Sequence, residues 1–378
     1  MRTADTTDVA IIGGGVIGCA IAYYLTRIGF TDVVLFERKS LASGATGICP
    51  GGIRQQFEGE ADCLLARRSV RFWEQINDIL EPEHPFELEQ SGYLFLADSE
   101  DLLNRFRKNV AMQNRLGIPS QVLSPEEIDT LLPHLNCESV SGGTFCSEDG
   151  FLEDCHGVTT SFAQRAGDQG ARIIYEEVTK LERFGGAWEV GTNGKSFQSA
   201  HVILAAGAES VSLAAGVGVN LPIVTQRRRL AFTAPYSEVI MPPLVIAPER
   251  GFAGKQLNHG VFYLGWLREK GEEDELLFVE RALQAGATLL PLLADLPVRR
   301  VLGGIYDTTP DHRPILGTVP GLDGFYLAAG FSGHGFMIAP AVGEAIAHLV
   351  AGQETDLPLE RFSLARFSAH TQKEGLVI

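Results

Sequence analysis

Residues 8–25, DVAIIGGGVIGCAIAYYL, constrain the fold of this chain more than any other part of the sequence. An apolar run over residues 9–12 is typical of a buried strand, and it leads into Gly13, Gly15 and Gly18 in the spacing G-x-G-x-x-G. The first glycine permits a tight turn, the second lets backbone N–H groups approach a pyrophosphate, and the third lets the next helix pack closely on the strand. The pattern predicts a strand, a turn and a helix whose N-terminus, at Val16 and Ile17, faces a phosphate group.

Glycine turns of this kind also occur without a ligand, so the next strand decides between the two interpretations. A second apolar run over residues 33–36 is followed at once by Glu37. An acidic side chain at the end of the second strand can accept hydrogen bonds from both ribose hydroxyls of an adenosine. The sequence therefore favours a dinucleotide site over a purely structural turn.

Composition limits the classes of partner. The chain has 378 residues and a net charge of −16. The length predicts two domains, and the negative charge opposes attraction to a phosphate backbone, so no nucleic-acid partner is expected. No apolar run reaches the roughly 18 residues of a membrane span, and no signal peptide is expected. Six scattered cysteines without a C-x-x-C pair indicate reduced thiols and a cytoplasmic protein.

Periodicity, caps and turn residues predict the remaining elements. Residues 40–57 are too rich in glycine and small residues for a stable helix or strand, which indicates a loop lying against a ligand. Later, a strand, a glycine turn over residues 330–335 and a helix over residues 336–350 repeat the N-terminal arrangement. The other predicted helices are 61–80, 99–116, 124–132 and 158–166, and the other predicted strands are 91–98, 172–175, 178–184, 187–192, 195–198, 201–208 and 261–267.

Four motifs together resemble the D-amino-acid-oxidase-like family of FAD-dependent amine oxidoreductases. They are GGGVIG with Glu37 and Arg38, ATGICPGGIRQQF, YDTTPDHRPILG, and GFSGHGFMIAPAVGEAIAHL. The resemblance is closest to the branch of sarcosine oxidase and the dye-linked proline dehydrogenase β-subunit. It implies an α/β fold with a discontinuous Rossmann-like FAD-binding domain, residues 1–81, 143–220 and 303–378. A substrate-binding domain on an antiparallel sheet would comprise residues 82–142 and 221–302.

The resemblance also implies which residues bind FAD. The loop over residues 45–52 would line one side of the flavin, and Val178 would contact the adenine through its backbone. The turn over residues 333–337 would place a positive helix end near the flavin C2 carbonyl, where reduced flavin is negatively charged. The implied cofactor-binding residues are Gly13, Gly15, Val16, Ile17, Gly18, Glu37, Arg38, Ser43, Ala45, Thr46, Gly47, Gly51, Gly52, Val178, Ala206, Gly207, Gly304, Gly330, Gly333, His334, Gly335, Phe336 and Met337.

In such enzymes the flavin accepts the hydride, so the protein mainly holds the substrate. Arg54 lies in an R-x-x-[FY] motif where the sarcosine oxidases bind the substrate carboxylate; the alternatives are a surface role for Arg54 and a carboxylate bound by the run 227–229. Three positions depart from known members. Tyr306 replaces an arginine of glycine and D-amino-acid oxidases, Met337 replaces a second carboxylate ligand, and Gly304 replaces a cysteine that attaches FAD. The first departure argues against a simple D-amino-acid or glycine oxidase. The second argues against a small, tightly bound sarcosine as substrate, and the third argues against covalent attachment of FAD.

Tyr263 is a further candidate catalytic residue. Monomeric sarcosine oxidase activates dioxygen with a lysine in the pattern G-L-K-L-G-Y, and matching this pattern to VFYLGW puts Tyr263 at the lysine. A neutral phenol does not stabilise superoxide as an ammonium does. We therefore expect dioxygen to be a poor acceptor, unless another cation such as Lys255 takes the role of the lysine.

The expected function is FAD-dependent dehydrogenation of a secondary or N-substituted amino acid, such as proline, hydroxyproline, sarcosine or an opine. Tyr263, Tyr306, Met337 and Arg54 are the candidate catalytic residues. Electrons would leave to a dye, a quinone or a partner subunit, in a hetero- or homo-oligomer. The alternatives are a 2-hydroxyacid or polyol-phosphate dehydrogenase on the same fold, and a flavin-binding subunit that is inactive alone.

Overall fold

A computed structural model describes residues 5–368 of the protein. Within them, the helices are α1 (Val16–Arg27), α2 (Glu60–Trp73), α3 (Ile76–Leu80), α4 (Glu100–Arg115), α5 (Pro125–Leu131), α6 (Cys155–Asp168), α7 (Ser210–Gly216), α8 (Glu275–Ala287) and α9 (Gly335–Val350). The strands are β1 (Asp5–Ile12), β2 (Val33–Phe36), β3 (Gly52–Ile53), β4 (Tyr93–Ala97), β5 (Ser120–Leu123), β6 (Gly142–Cys146), β7 (Gly150–Phe151), β8 (Arg172–Ile174), β9 (Val178–Phe184), β10 (Ala187–Thr192), β11 (Ser196–Leu204), β12 (Val224–Thr233), β13 (Leu244–Ala247), β14 (Phe252–Gln256), β15 (Phe262–Trp266), β16 (Val298–Thr308), β17 (Ile315–Val319) and β18 (Leu322–Ala329).

The first sheet has the order β17-β18-β11-β1-β2-β8, and β9 and β10 extend it from β11. Its five strands from β18 to β8 are parallel, whereas β17 pairs antiparallel with β18. The runs 9–12 and 33–36 are buried on both faces, as expected for central parallel strands. On one face lies a core formed with α1, α2, α6 and α9, and on the other a core formed with β9, β10 and α7.

The second sheet has the order β16-β12-β15-β14-β13-β4-β6-β5. Its pairs are antiparallel except β4 with β13, which run parallel and join two separate chain segments. Helices α5 and α8 cover one face through a core that includes Phe278 and Ile128. The other face carries aromatic side chains, among them Tyr93, Phe95 and Tyr263. This mixed α/β architecture, with two eight-stranded sheets, confirms the predicted fold class.

Most predicted elements are present, including both serine caps. The Ser99 hydroxyl accepts a hydrogen bond from the Leu102 N–H, and Ser124 forms a complete capping box with Glu127. The predicted helix over residues 61–80 was wrong as one element, because the chain breaks at Gln75 between α2 and α3. The strands predicted at 195–198 and 201–208 are one strand, β11.

The glycine-rich loop is more ordered than predicted. It contains a 3₁₀ turn, Ala45–Ile48, and the short strand β3, which pairs with β7. Two strands also cross the predicted domain boundaries: β6 and the whole of β16 belong to the second sheet. Residues 1–4 and 369–378, which the predicted FAD-binding domain includes, lie outside the described residues.

Candidate functional site

Three turns meet at one edge of the first sheet. Because β1, β11 and β18 are parallel, their carboxyl ends lie on the same side, and the loops that follow them are neighbours. These loops are the glycine turn 13–18, the residues Ala206 and Gly207, and the glycine turn 330–335. The two predicted glycine turns, far apart in sequence, are thus brought together, and their helices α1 and α9 pack on each other.

The first glycine turn shows which glycines the protein itself requires. A Cβ at Gly13 would overlap the Ala205 carbonyl oxygen, and one at Gly18 would overlap the Gly13 oxygen. A Cβ at Gly15 would lie 3.4 Å from the Thr46 hydroxyl, an ordinary contact, and Gly15 as the N-cap leaves the start of α1 without a side-chain cap of its own. Packing therefore explains the first and third glycines, whereas the second keeps the start of α1 open to a ligand, which fits a dinucleotide phosphate.

Glu37 lies beside this turn, as the sequence predicts. One carboxylate oxygen accepts the Gly14 N–H at 2.8 Å and the other accepts the Lys39 N–H at 2.8 Å. Each oxygen keeps a second lone pair for a ribose hydroxyl. The Glu37 N–H donates to Ile174 O at the end of β8, which leads toward Val178. The residues present fit an adenosine at this edge.

Arg38 has a different environment from the one expected of a cofactor ligand. Its exposed guanidinium forms an ion pair with Glu209, just after Gly207, and approaches Glu177 at 4.0 Å. It therefore connects two loops of the same edge, and its role toward FAD stays a prediction.

The second glycine turn is held by β16 of the other sheet. Its backbone is left-handed at Gly330, Ser332 and Gly333, with φ of 74°, 53° and 88°. A carboxylate oxygen of Asp307 accepts the Gly330 N–H at 2.7 Å, and Asp307 O accepts the Ser332 N–H at 3.1 Å. Helix α9 then begins at Gly335 without a side-chain cap. Its positive end is available to an anionic ring, as the resemblance implies.

The loop that precedes Arg54 packs tightly on its surroundings. A Cβ at Gly47 would overlap Ala42 O, one at Gly51 would overlap Leu152 O, and one at Gly52 would overlap the Tyr93 hydroxyl. Thr46 is buried and its hydroxyl accepts the Val16 N–H at 3.2 Å, whereas Ser43 and Ala45 are exposed. The loop is thus fixed against both α1 and the second sheet.

Three tyrosines, Tyr93, Tyr263 and Tyr306, gather beside Cys49 of this loop, and we call them the tyrosine cluster. Burial raises the pKa of each phenol, that of Tyr306 to about 12, so all three are neutral at pH 7. The Tyr263 ring stacks on Phe151 with centroids 5.7 Å apart. Among residues 5–368 the buried Tyr263 hydroxyl has no hydrogen-bond partner, which fits a site for a polar ligand.

Arg54 lies next to the tyrosine cluster and is fully buried, which excludes the alternative of a surface arginine. Its guanidinium carbon lies 4.1 Å from the ring centroid of Phe57 and 5.4 Å from that of Phe95. Its Nη1 donates to Gln56 O at 2.8 Å, and its Nη2 lies 3.0 Å from His334 Nε2. Burial, and then the Arg54 charge, hold the pKa of His334 well below its usual range, so the neutral imidazole accepts from Arg54.

Asp149 is a buried residue of this site that sequence reasoning missed. Its two carboxylate oxygens accept the Gln55 N–H at 2.7 Å and Gln56 Nε2 at 3.0 Å. Burial raises its pKa to about 7, against the opposing effects of these hydrogen bonds and of Arg54. An acidic residue before a glycine is typical of an exposed turn, so the sequence contains no signal for this burial.

Lys255 and one arginine of the run 227–229 are each held in an ion pair, whereas Arg228 of the same run forms none within residues 5–368. Lys255 pairs across the strands with Tyr263, but its Nζ donates to Glu89 at 2.9 Å and to Pro242 O at 2.5 Å. Arg229 is buried in an ion pair with Glu269. Met337, in the first turn of α9, lies in the core that α9 forms with α1 and α2. Its catalytic role stays a prediction.

Comparison with known proteins agrees with this geometry. Residues 8–349 match the DAO family of FAD-dependent oxidoreductases, and the chain belongs to this family. It is 29% identical to the sarcosine oxidase β-subunit of Arthrobacter sp., over 95% of this chain and 91% of that protein. It is 26% identical to human mitochondrial sarcosine dehydrogenase over 96% of this chain, but it spans only 42% of that protein's length.

A solved structure, L-proline dehydrogenase from P. horikoshii, superposes with a TM-score of 0.90 and 32% sequence identity. The match covers 97% of this chain and 99% of that chain. The chain is therefore an FAD-dependent oxidoreductase with the Rossmann-like fold of this family, as predicted. Within residues 5–368, none of the helices is both long enough and apolar enough to cross a bilayer.

We expect acid precipitation to release all of the FAD. Gly304 offers no thiol, and Ile48 Cδ1 fills the space that a side chain there would need. The flavin absorbance of the supernatant, compared with that of the washed pellet, measures the released fraction. Flavin retained on the denatured chain would contradict this expectation, and the Cys49→Ser variant would then show whether the thiol of the neighbouring loop is the attachment point.

Proposed function

We propose that this protein oxidises a secondary or N-substituted amino acid, with hydride transfer to the flavin of FAD. The observation that carries the proposal is the buried Arg54 guanidinium next to three neutral tyrosines, of which Tyr93 and Tyr263 are buried and Tyr306 is half-buried. A guanidinium is suited to bidentate recognition of a carboxylate, the group that all amino acids share.

The residues of this chain would hold and orient the substrate. Arg54 binds the carboxylate, and its bond to His334 connects the substrate side of the site to the start of α9. The tyrosine cluster and Phe151 provide a wall with little water, which favours the neutral form of the amine because burial disfavours its charged form. The flavin, when bound, accepts the hydride. We propose Tyr263 as a hydrogen-bonding group for substrate, since its buried hydroxyl lacks a partner within residues 5–368.

Anaerobic bleaching of the flavin tests the reaction type. We expect amino acids with a secondary amine, such as sarcosine and proline, to bleach the flavin, whereas the matched 2-hydroxyacids do not. Bleaching by hydroxyacids or polyol phosphates alone would favour the alternative dehydrogenases. A chain that binds FAD but is not bleached by any of these compounds would favour a subunit that is active only in a complex.

We expect dioxygen to reoxidise the reduced protein slowly. The Tyr263 phenol is neutral, so it does not provide a positive charge to stabilise superoxide. The nearby Lys255 ammonium donates to the Glu89 carboxylate, so its charge is already paired. Tyr263→Lys should raise the reoxidation rate roughly 10-fold or more in rapid mixing with air-saturated buffer. Tyr263→Met is the control for loss of the phenol alone. Wild-type reoxidation as fast as catalytic turnover would refute the dehydrogenase assignment.

If dioxygen is excluded, the electrons need another acceptor. We propose a quinone or a partner subunit, which a dye replaces in the assay; the similarity to a protein named as a β-subunit supports a hetero-oligomer. A cytoplasmic location is likewise a proposal, which rests on six scattered cysteines without paired spacing.

A further inference from the structure

We propose that Arg228 binds a second carboxylate of the substrate, so that the preferred substrates are secondary amines carrying two carboxylates, the N-(carboxyalkyl) amino acids. The inference rests on the proposed function, in which Arg54 binds the first carboxylate. Its own evidence is the orientation, the neighbours and the charge balance of Arg228.

The alternation of side chains along β12 shows which face of the second sheet carries Arg228. Arg229 points toward α8, where its guanidinium carbon lies 4.9 Å from the Phe278 ring centroid. Leu230 and Phe232 pack on the opposite face, with Tyr263, and the Phe232 and Tyr263 ring centroids are 6.3 Å apart. Because successive side chains of a strand point to opposite faces, Arg228 lies on the face of the tyrosine cluster.

The neighbours of Arg228 belong to the candidate site. Across the β12–β16 pair, Arg228 is opposite Gly304 and Gln226 is opposite Tyr306. The Tyr306 ring packs directly against Gly333 in the second glycine turn. The Arg228 charge also acts on Tyr306, where it opposes the larger effect of burial on the phenol pKa.

The charge balance distinguishes Arg228 from Arg229. The half-buried Arg228 donates to two neutral acceptors, Glu269 O and Gln226 Oε1, the latter at 3.1 Å. No carboxylate among residues 5–368 lies within the 4.0 Å of an ion pair with Arg228. The Glu269 carboxylate is held by Arg229, at 2.5 Å from its Nε. Arg228 thus forms no ion pair in the described part of the chain, whereas Arg229 does.

The tyrosine cluster connects the two arginines. Tyr93 lies within the electrostatic influence of both Arg54 and Tyr306, and Tyr306 within that of Arg228. Arg54 thus acts on one member of the cluster and Arg228 on another, and we place one substrate carboxylate at each arginine. A secondary amine between two carboxylates matches this arrangement, whereas an amino acid with a single carboxylate leaves Arg228 without a partner.

Two substrates that differ by one carboxylate, iminodiacetate and sarcosine, test the inference. We expect the wild type to have a higher kcat/KM for iminodiacetate in a dye-linked anaerobic assay. Arg228→Met should lower the ratio of the two kcat/KM values roughly 10- to 100-fold, the contribution of one charge-assisted hydrogen bond. The control is Arg227→Met, since Arg227 is exposed and adjacent in sequence but lies on the other face of the strand. It should leave the ratio unchanged.

Binding of non-reacting analogues separates this inference from the proposed function. Thiodiacetate and (methylthio)acetate replace the amine by sulfur, and calorimetry on the FAD-loaded protein gives their Kd values. We expect thiodiacetate to bind more tightly to the wild type and to lose this advantage in Arg228→Met. Equal Kd values in the wild type, or an advantage that survives in Arg228→Met, would overturn the inference. If the advantage is lost as expected but no amine is oxidised, the second-carboxylate site stands and the proposed function fails.

Discussion

Arg54→Ala is expected to lower kcat/KM for the preferred amino acid by roughly 30- to 1,000-fold, because a bidentate guanidinium–carboxylate contact in a partly dry site contributes on the order of 2–4 kcal/mol. Arg54 is fully buried between two aromatic rings, so water cannot readily replace it. Steady-state kinetics with a dye acceptor measure the loss.

Two further variants make this test specific. Arg54→Lys keeps the charge but not the planar fork, so its activity should fall between those of the wild type and Arg54→Ala. Arg71→Ala removes an exposed arginine of α2 and should leave kcat/KM unchanged. FAD content should be the same in all three proteins. Normal turnover by Arg54→Ala, with full FAD content, would mean that another residue binds the carboxylate, and Arg228 would be the first candidate.

Glu269→Ala is expected to lower the free energy of unfolding by about 3–5 kcal/mol, because it leaves the Arg229 charge buried without its main partner. Both side chains are only 1% exposed, and their carboxylate and guanidinium atoms approach to 2.5 Å. Glu273, at 3.9 Å from Arg229, is too distant to replace the lost contact fully. Urea unfolding at a fixed FAD concentration measures the change.

The chain offers a matched control for this ion pair. Glu182 pairs with Lys180 at 2.8 Å, but both side chains are more than half exposed. Glu182→Ala should therefore change the free energy of unfolding by less than about 1 kcal/mol. Replacing both buried partners by apolar residues, Glu269→Leu with Arg229→Met, should recover much of the stability that Glu269→Ala loses. An unchanged urea midpoint in Glu269→Ala would show that the pair does not stabilise the fold.

The parts of the fold that the sequence predicted well are those with local causes. The spacing of Gly13, Gly15 and Gly18 and the caps at Ser99 and Ser124 act within one turn of chain, so they are readable from neighbouring residues. The break between α2 and α3 has no such signal, since neither proline nor glycine occurs at residues 73–76. It depends on how the two helices pack.

In the candidate site, too, some residues are readable from local motifs and others depend on contacts between distant parts of the chain. Arg54 and the glycine turns were identified through motifs, but the burial of Asp149 and the partner of Arg229 depend on contacts between distant segments. The three arginines 227–229 look equivalent in sequence. Only the register of β12 against β15 and β16 shows that Arg228 shares a face with the tyrosine cluster while Arg229 faces α8. The face toward which each of these arginines points can be assigned only when the pairing of β12 with its neighbouring strands is known.

The meeting of two remote glycine turns at one sheet edge has a consequence for biosynthesis. The turn 13–18 is synthesised long before β18 and the turn 330–335. A growing chain therefore exposes the apolar edge of β11 until β18 has been made and can pair with it. Cofactor capture that needs both turns becomes available only once residues 330–335 have been synthesised, so we expect a chain interrupted before α9 to be free of flavin and prone to aggregate.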